Sequence, residues 1–206
     1  MSPDLNRQQV VARTTEMLEM AKAGLTDALS PDPNRTRPGA MNMLTYGRSV
    51  TFTMQTIKSL DPAFEEWWKP YQDAMQADPL MSYCNDARVA ITYRGHLPST
   101  NATRIGVDGP VNIGELRRRL MVDAPPGTTG IFLGDSVGGN GWIVEGAGHV
   151  YFDLPDDLDV QSGLEFESPP VEHDGKPITD ASIGSIGQLY INKLSQIVDD
   201  FKARYG

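Results

Sequence analysis

The stretch NDARVAITYRGH, Asn85 to His96, sets two arginines, a tyrosine and a histidine among residues that otherwise read as a buried helix. An arginine fork can hold a phosphate while an imidazole or phenol moves the proton of a 2′-hydroxyl, which is the equipment of metal-independent RNA cleavage. Arg88 is the phosphate ligand of that set, and Tyr93 or His96 the proton-transfer group. At 100° per residue, roughly 80° separates residues 88 and 96 around a helix, so Arg88 and His96 approach one pocket only if the helix end frays. Arg48, on an earlier helix, and Arg94 are further candidate binding residues. The plainer reading of the same stretch is a capped helix end whose polar residues are solvated.

Other motifs carry less. IFLGDSVGGNG places Gly-Asp-Ser after a strand, like the nucleophile block of a GDSL hydrolase, but such a serine needs an imidazole base and an acid. Neither His149 nor His173 has the aspartate three residues earlier that this block requires, so DSVGGNG reads as a hairpin. The same glycines do not make a phosphate loop, because no Gly-Lys-Ser/Thr is present. His96, His149 and His173 lack metal-ligand spacing, and neither a metal nor a cofactor is expected. Phe64, Trp67, Trp68 and Tyr71 form an aromatic cluster, read as core packing before a platform for a base or partner.

These residues need elements to position them. Val11, Met17, Leu18, Ala21, Leu25 and Leu29 recur at helical spacing, with Ser2 and Pro3 as cap and first turn. SPDPNRTRPG, rich in proline, reads as a loop. A second helix is expected from about Ala40 to Leu60, with Met43, Gly47, Val50, Met54 and Ile57 on one stripe and Arg48, Thr51 and Gln55 elsewhere on its circumference. A third begins at Asp61-Pro62, and Pro70 should kink or divide it. The fourth begins at Asp78-Pro79, carries the opening stretch, and stops at Gly95 and Pro98. Four helices with short connections favour an antiparallel bundle.

After Pro98 the pattern changes. ATRIGVDG, TGIFLGD, GWIVEGAG and HVYFDLP read as strands, GGNG as a hairpin turn, and NIGELRRRLM as a short helix. Asp153 to Asp174 is acidic and free of lysine and arginine, and reads as a loop-rich surface. Ile183, Ile186, Tyr190, Leu194, Ile197 and Phe201 alternate by three and four, which predicts a long amphipathic helix started near Thr179-Asp180 and packed back on the bundle. The expected architecture is α+β: a helical bundle over 1–98, then a β-rich region and C-terminal helix over 99–206, packed as one unit with it.

The chain has 206 residues and a formal charge of -9. Residues 1 to 96 hold 10 Lys/Arg against 11 Asp/Glu, so the excess acid is in the second half. Non-specific nucleic-acid binding draws on Lys/Arg neutralising phosphates, and an acidic surface disfavours it, DNA included. Cys84 stands alone, which excludes an intramolecular disulfide. No run approaches the ~18 apolar residues of a membrane span, and the N-terminus lacks a secretory pattern, so a cytoplasmic protein without membrane contact is expected.

MNMLTYGRSVTFTMQTIKS, followed by the aromatic FEEWWKPYQ and then DPLMSYCNDARVAITYRGH, resembles two successive helices of the HEPN superfamily of prokaryotic RNases, toxins and antiviral proteins. The resemblance covers residues 1 to 98. HEPN proteins carry Arg-x(4 to 6)-His in the second of these helices; Arg88 matches the arginine and Gly95 a following glycine. Val89 stands where asparagine is common, Tyr93 where the histidine belongs, and His96 one residue beyond the spacing. The resemblance implies a helical bundle that pairs as a homodimer, with RNA or another protein as partner. A phenol titrating near 10 is a poorer proton shuttle than an imidazole near 6.5, so the expected function is a non-catalytic binding or assembly module. The alternative is a metal-independent RNase using Arg88 with Tyr93 or His96.

Overall fold

The computed structural model describes residues 6–30, 32–106, 113–133, 140–155 and 159–206. It is a mixed α+β protein in two compact units: residues 1–99 with 166–206 make one, and residues 100–165 the other.

The first unit is helical. Helix α1 (Arg7–Ala28) starts from a capping box in which the Asn6 side chain accepts from the Gln9 N–H and the Gln9 side chain accepts from the Asn6 N–H. The cap expected at Ser2-Pro3 lies outside the described residues. The buried stripe of α1 is Val10, Thr14, Leu18, Ala21, Leu25 and Ala28; Leu29 is exposed and Val11 and Met17 are half-buried, so the core-facing side lies slightly around from the expected one.

Helix α2 (Pro33–Gln55) corrects the loop expected over residues 30–39. Asp32 caps it through the Asn34 N–H, and Pro33 occupies the first turn, where a missing N–H has no partner to lose. Pro38 then lies inside the helix. Cap and first-turn proline outweigh the proline count that suggested a loop. The two helices run antiparallel: Arg7 donates to the Leu60 carbonyl at one end, while Gly24 meets Gly39 and Met43 at the other. A Cβ on Gly24 would stand 2.4 Å from the Met43 nitrogen, and one on Gly39 2.4 Å from the Ala28 nitrogen, so both glycines permit a backbone-to-backbone crossing.

A 3-10 turn (Thr56–Ser59) leads to α3 (Phe64–Ala77), which contains Pro70, and then to α4 (Pro79–Arg94). Helix α4 has the expected limits: Asp78 caps it through the Met81 N–H, and Gly95 closes it at φ 63°. Helix α6 (Ile183–Tyr205) begins three residues after the expected start, at the cap Ser182, and buries Ile183, Ile186, Tyr190, Leu194, Ile197 and Phe201. It packs against α1 and α2, each large apolar side chain adding about 1.5–3 kcal/mol of burial. The aromatic cluster is core, as its spacing predicts: Phe64 and Trp68 are buried, and Trp67 lies against Phe201 and Tyr205 of α6.

In the other unit, β2 (Thr128–Leu133), β3 (Asn140–Val144) and β4 (Gly148–Tyr151) form an antiparallel sheet in that order. The short helix α5 (Ile113–Leu120) precedes it, and the Trp142 indole donates to the Leu120 carbonyl at 2.8 Å. The expected GGNG turn falls largely outside the described residues. β1 (Ser99–Gly106) pairs with β5 (Asp159–Phe166); in the first unit, β6 (Glu172–His173) pairs with β7 (Lys176–Pro177). The acidic stretch is therefore partly strand; at its far side in the first unit, Phe166 is buried against the Tyr83 ring at 5.6 Å. Among the described residues, no helix is long and apolar enough to cross a membrane.

Candidate functional site

Within the helical unit, α2, α3, α4 and α6 line an open cavity of about 260 Å³. Its floor is set by Gly47. A Cβ there would stand 2.5 Å from a Tyr190 ring carbon and 2.6 Å from the hydroxyl, so only glycine lets this buried ring pass beneath α2. Burial drives the Tyr190 phenol far above its usual range, Cys84 adds to that shift, and Arg48 and Arg88 oppose it. Apolar wall comes from Trp68, Met75, Met81 and Leu194, and polar wall from amides: Gln55 of α2, Gln72 and Gln76 of α3, and Asn85 of α4. Helical spacing explains the α2 face, since Arg48, Thr51, Phe52 and Gln55 fall within two turns on one side.

Arg48 and Arg88 share one ring. Their guanidinium carbons lie 4.2 and 5.9 Å from the Phe52 centroid, within the roughly 10 Å over which charges act on one another through ordinary salt. Both side chains are half-buried, and the Nε atom of each is buried without a hydrogen-bond partner. Arg48 does donate to the Thr51 hydroxyl at 3.1 Å, and that hydroxyl donates to the Arg48 carbonyl. Among the described residues, neither arginine is paired with a carboxylate. Desolvation, and then the charge of Arg88, lower the pKa of Arg48.

The structure therefore brings Arg88 to Arg48, from a helix read separately. Tyr93 is 79% exposed, and Arg94 and His96 are exposed beside it at the end of α4. That end is not frayed. The Gly95 N–H donates to the Ile91 carbonyl and the His96 N–H to the Ala90 carbonyl, so the unwinding needed to swing His96 toward Arg88 is absent. Ser136, the candidate nucleophile, lies outside the described residues.

A second cluster was missed by sequence reasoning. Asp78 is buried, and its Oδ1 accepts from the Met81 N–H at 3.0 Å while its Oδ2 accepts from the Asp174 N–H at 2.8 Å. His173 Nδ1 lies 3.1 and 3.0 Å from the two oxygens and donates to the carboxylate. Burial raises the Asp78 pKa, but the two backbone donors and His173 outweigh it and hold the carboxyl below its ordinary value. Ligand atoms of Asp78, His173 and Asp174 lie close enough together for a cation. The donor set is already engaged, however: both Asp78 oxygens accept N–H bonds, and the Lys193 ammonium sits 2.8 and 3.0 Å from the Asp174 oxygens. This cluster fastens the β6–β7 hairpin to the start of α4. The Asp78-Pro79 cap was legible, but its histidine is 95 residues distant.

Residues 27–108 match a family model described as bacteriophage lambda protein ea47. The match runs over α2, α3 and α4, the segment that suggested the HEPN superfamily, and it overturns that resemblance. Gly95, which seemed to extend the HEPN motif, is accounted for as the left-handed cap of α4. The expectation of a homodimer rested on that resemblance and loses its ground with it. Comparison with curated proteins gives no match, and comparison with solved structures gives none.

Proposed function

We propose that this protein is a non-catalytic binding module whose ligand enters the cavity between α2, α3, α4 and α6. The observation that carries the reading is the composition of the lining. Four amides, an arginine, two hydroxyl residues, a buried tyrosine and an apolar wall offer donors, acceptors and contact area, but no imidazole, carboxylate or thiol. General acid–base chemistry needs a group that titrates near the working pH, and none of these does so. Concave, largely preformed sites with a few placed polar groups are the usual form of a small-molecule site. At about 260 Å³ the cavity lies just under the roughly 300 Å³ at which drug-sized sites begin, so the ligand is small.

The test is a small-molecule screen of the full chain read by the side-chain amide signals of Gln55, Gln72, Gln76 and Asn85. A ligand that shifts these signals, and binds Gln72→Leu or Asn85→Leu more weakly, is the expected result. A mixed RNA pool incubated in EDTA supplies the opposing arm. Cleavage by the wild type that disappears in Arg88→Ala would replace the binding module with an RNase.

A further inference from the structure

We propose that Arg48 and Arg88 form an oxyanion site, which takes the terminal carboxylate or phosphate of a small, largely apolar molecule whose body occupies the cavity. The proposal rests on the cavity being the ligand site and adds the chemical class of the ligand.

Several other cations of the helical unit are paired as folding alone would pair them. Lys22 pairs with Glu19, Arg35 with Asp27, Lys58 with Glu65, Lys69 with Asp73 and Lys193 with Asp174. Most of these pairs are exposed, where an unpaired lysine would cost little. Arg48 and Arg88 reverse both conditions. They are half-buried, beside each other, and without a carboxylate among the described residues, so each loses hydration and faces like charge. Desolvating a charge without a partner is unfavourable, and a second positive charge nearby adds to it.

One group removes both penalties. A carboxylate or phosphate offers several acceptor lone pairs and a negative charge, and planar guanidinium forks match its geometry. The guanidinium carbons lie 4.2 and 5.9 Å from the Phe52 centroid, a contact that uses none of their N–H donors. Arg48 lines the cavity, so an anion held there leaves the rest of its molecule facing Trp68, Met75, Met81 and Leu194, with Gln72 and Gln76 able to read a polar substituent. The cavity volume limits that body to roughly ring size. Because the chain carries -9 overall, indiscriminate anion adsorption is disfavoured, and any anion affinity reports the local pair.

The experiment uses the full chain with benzoate, phenyl phosphate and neutral benzamide as probes, in constant chloride. Amide and arginine Nε–Hε spectra are recorded for wild type, Arg48→Met, Arg88→Met and Arg88→Lys. Benzoate or phenyl phosphate should shift the Nε–Hε signals of both arginines together with the Gln72 amide, and benzamide should bind at least about tenfold more weakly. Each methionine variant should lose at least about tenfold in anion affinity, and Arg88→Lys, which keeps the charge but not the fork, should fall between. The tighter anion names the head group. Should a variant fail to fold, the wild-type arginine signals decide alone.

Anion binding that leaves both Nε–Hε signals unmoved, or that survives both methionine substitutions, overturns the proposal. Benzamide binding as tightly as benzoate, with Gln72 shifting, overturns the oxyanion class and leaves the cavity as a ligand site. No shift of the cavity amides with these probes or in the wider screen ends both readings.

Discussion

Helix α4 carries two charged clusters that solve opposite problems. At its N-terminus the buried Asp78 carboxylate receives two backbone N–H groups and the His173 ring, and Lys193 balances Asp174 beside it. Nearly three turns further on, Arg88 faces another arginine and keeps a buried Nε without a partner. Folding alone selects arrangements like the first, because an unsatisfied buried polar group costs about 1–3 kcal/mol. The second arrangement is the one that the proposed oxyanion would complete. Satisfaction of polar atoms, more than the presence of chemically able residues, separates the structural cluster from the proposed site.

The comparison breaks most easily at Asp78. Asp78→Ala removes the cap of α4 and leaves His173 and the Asp174 N–H without their acceptor, so it should cost about 3–5 kcal/mol, read as a fall in the urea midpoint. Asp78→Asn keeps one acceptor and should cost less. The same carboxyl sets a pH dependence with a definite sign. Its folded pKa is lowered, so its contribution is complete above the unfolded value of about 4 and is lost as pH falls through the depressed folded value. Urea midpoints measured between pH 6 and 2 should decline over that acidic interval in wild type and decline less in Asp78→Asn. Parallel declines would remove Asp78 as the source.

The second largest effect concerns the floor of the cavity. Gly47→Ala forces a methyl into the Tyr190 ring and should destabilise by about 1–3 kcal/mol, measured by thermal unfolding. If Tyr190 yields instead, stability is retained and the cavity changes shape, which weakened binding of the same aromatic anions would reveal.

How much of this was legible follows from the range of each interaction. Helix α4 could be read because its signals are local: Asp78 and Pro79 at one end, Gly95 at the other. Helix α6 could be read because a buried face repeats every three or four residues. The start of α2 was misread, since Pro33 and Pro38 count against a helix by composition while Asp32 and Pro33 favour one by position. Neither cluster was legible as a cluster. Arg48 and Arg88 sit on different helices, and their meeting over Phe52 depends on how α2 and α4 pack. His173 reaches Asp78 through a hairpin in a stretch that read as acidic loop. Spacing alone also made Gly95 look like part of a catalytic motif, although a helix stop needs the same residue.

The smallest predicted effect is the most discriminating, because its sign differs between a structural arginine and a site arginine. An arginine that holds the fold together loses ion pairs and packing when replaced, as Asp78 would. Arg88→Met keeps an apolar stem out to about the position of Nε while removing one of two neighbouring half-buried charges. Without ligand the variant should therefore melt at or above wild type, with a gain of up to about 1 kcal/mol, since methionine leaves no buried Nε unsatisfied and relieves Arg48. Arg48→Met should gain less, because it also gives up the bond to Thr51. Relief of Arg48 in Arg88→Met is visible separately, as a change in the Arg48 Nε–Hε signal. A loss of about 2 kcal/mol or more in Arg88→Met would show that the arginine belongs to the scaffold, and the contrast between the two ends of α4 would collapse.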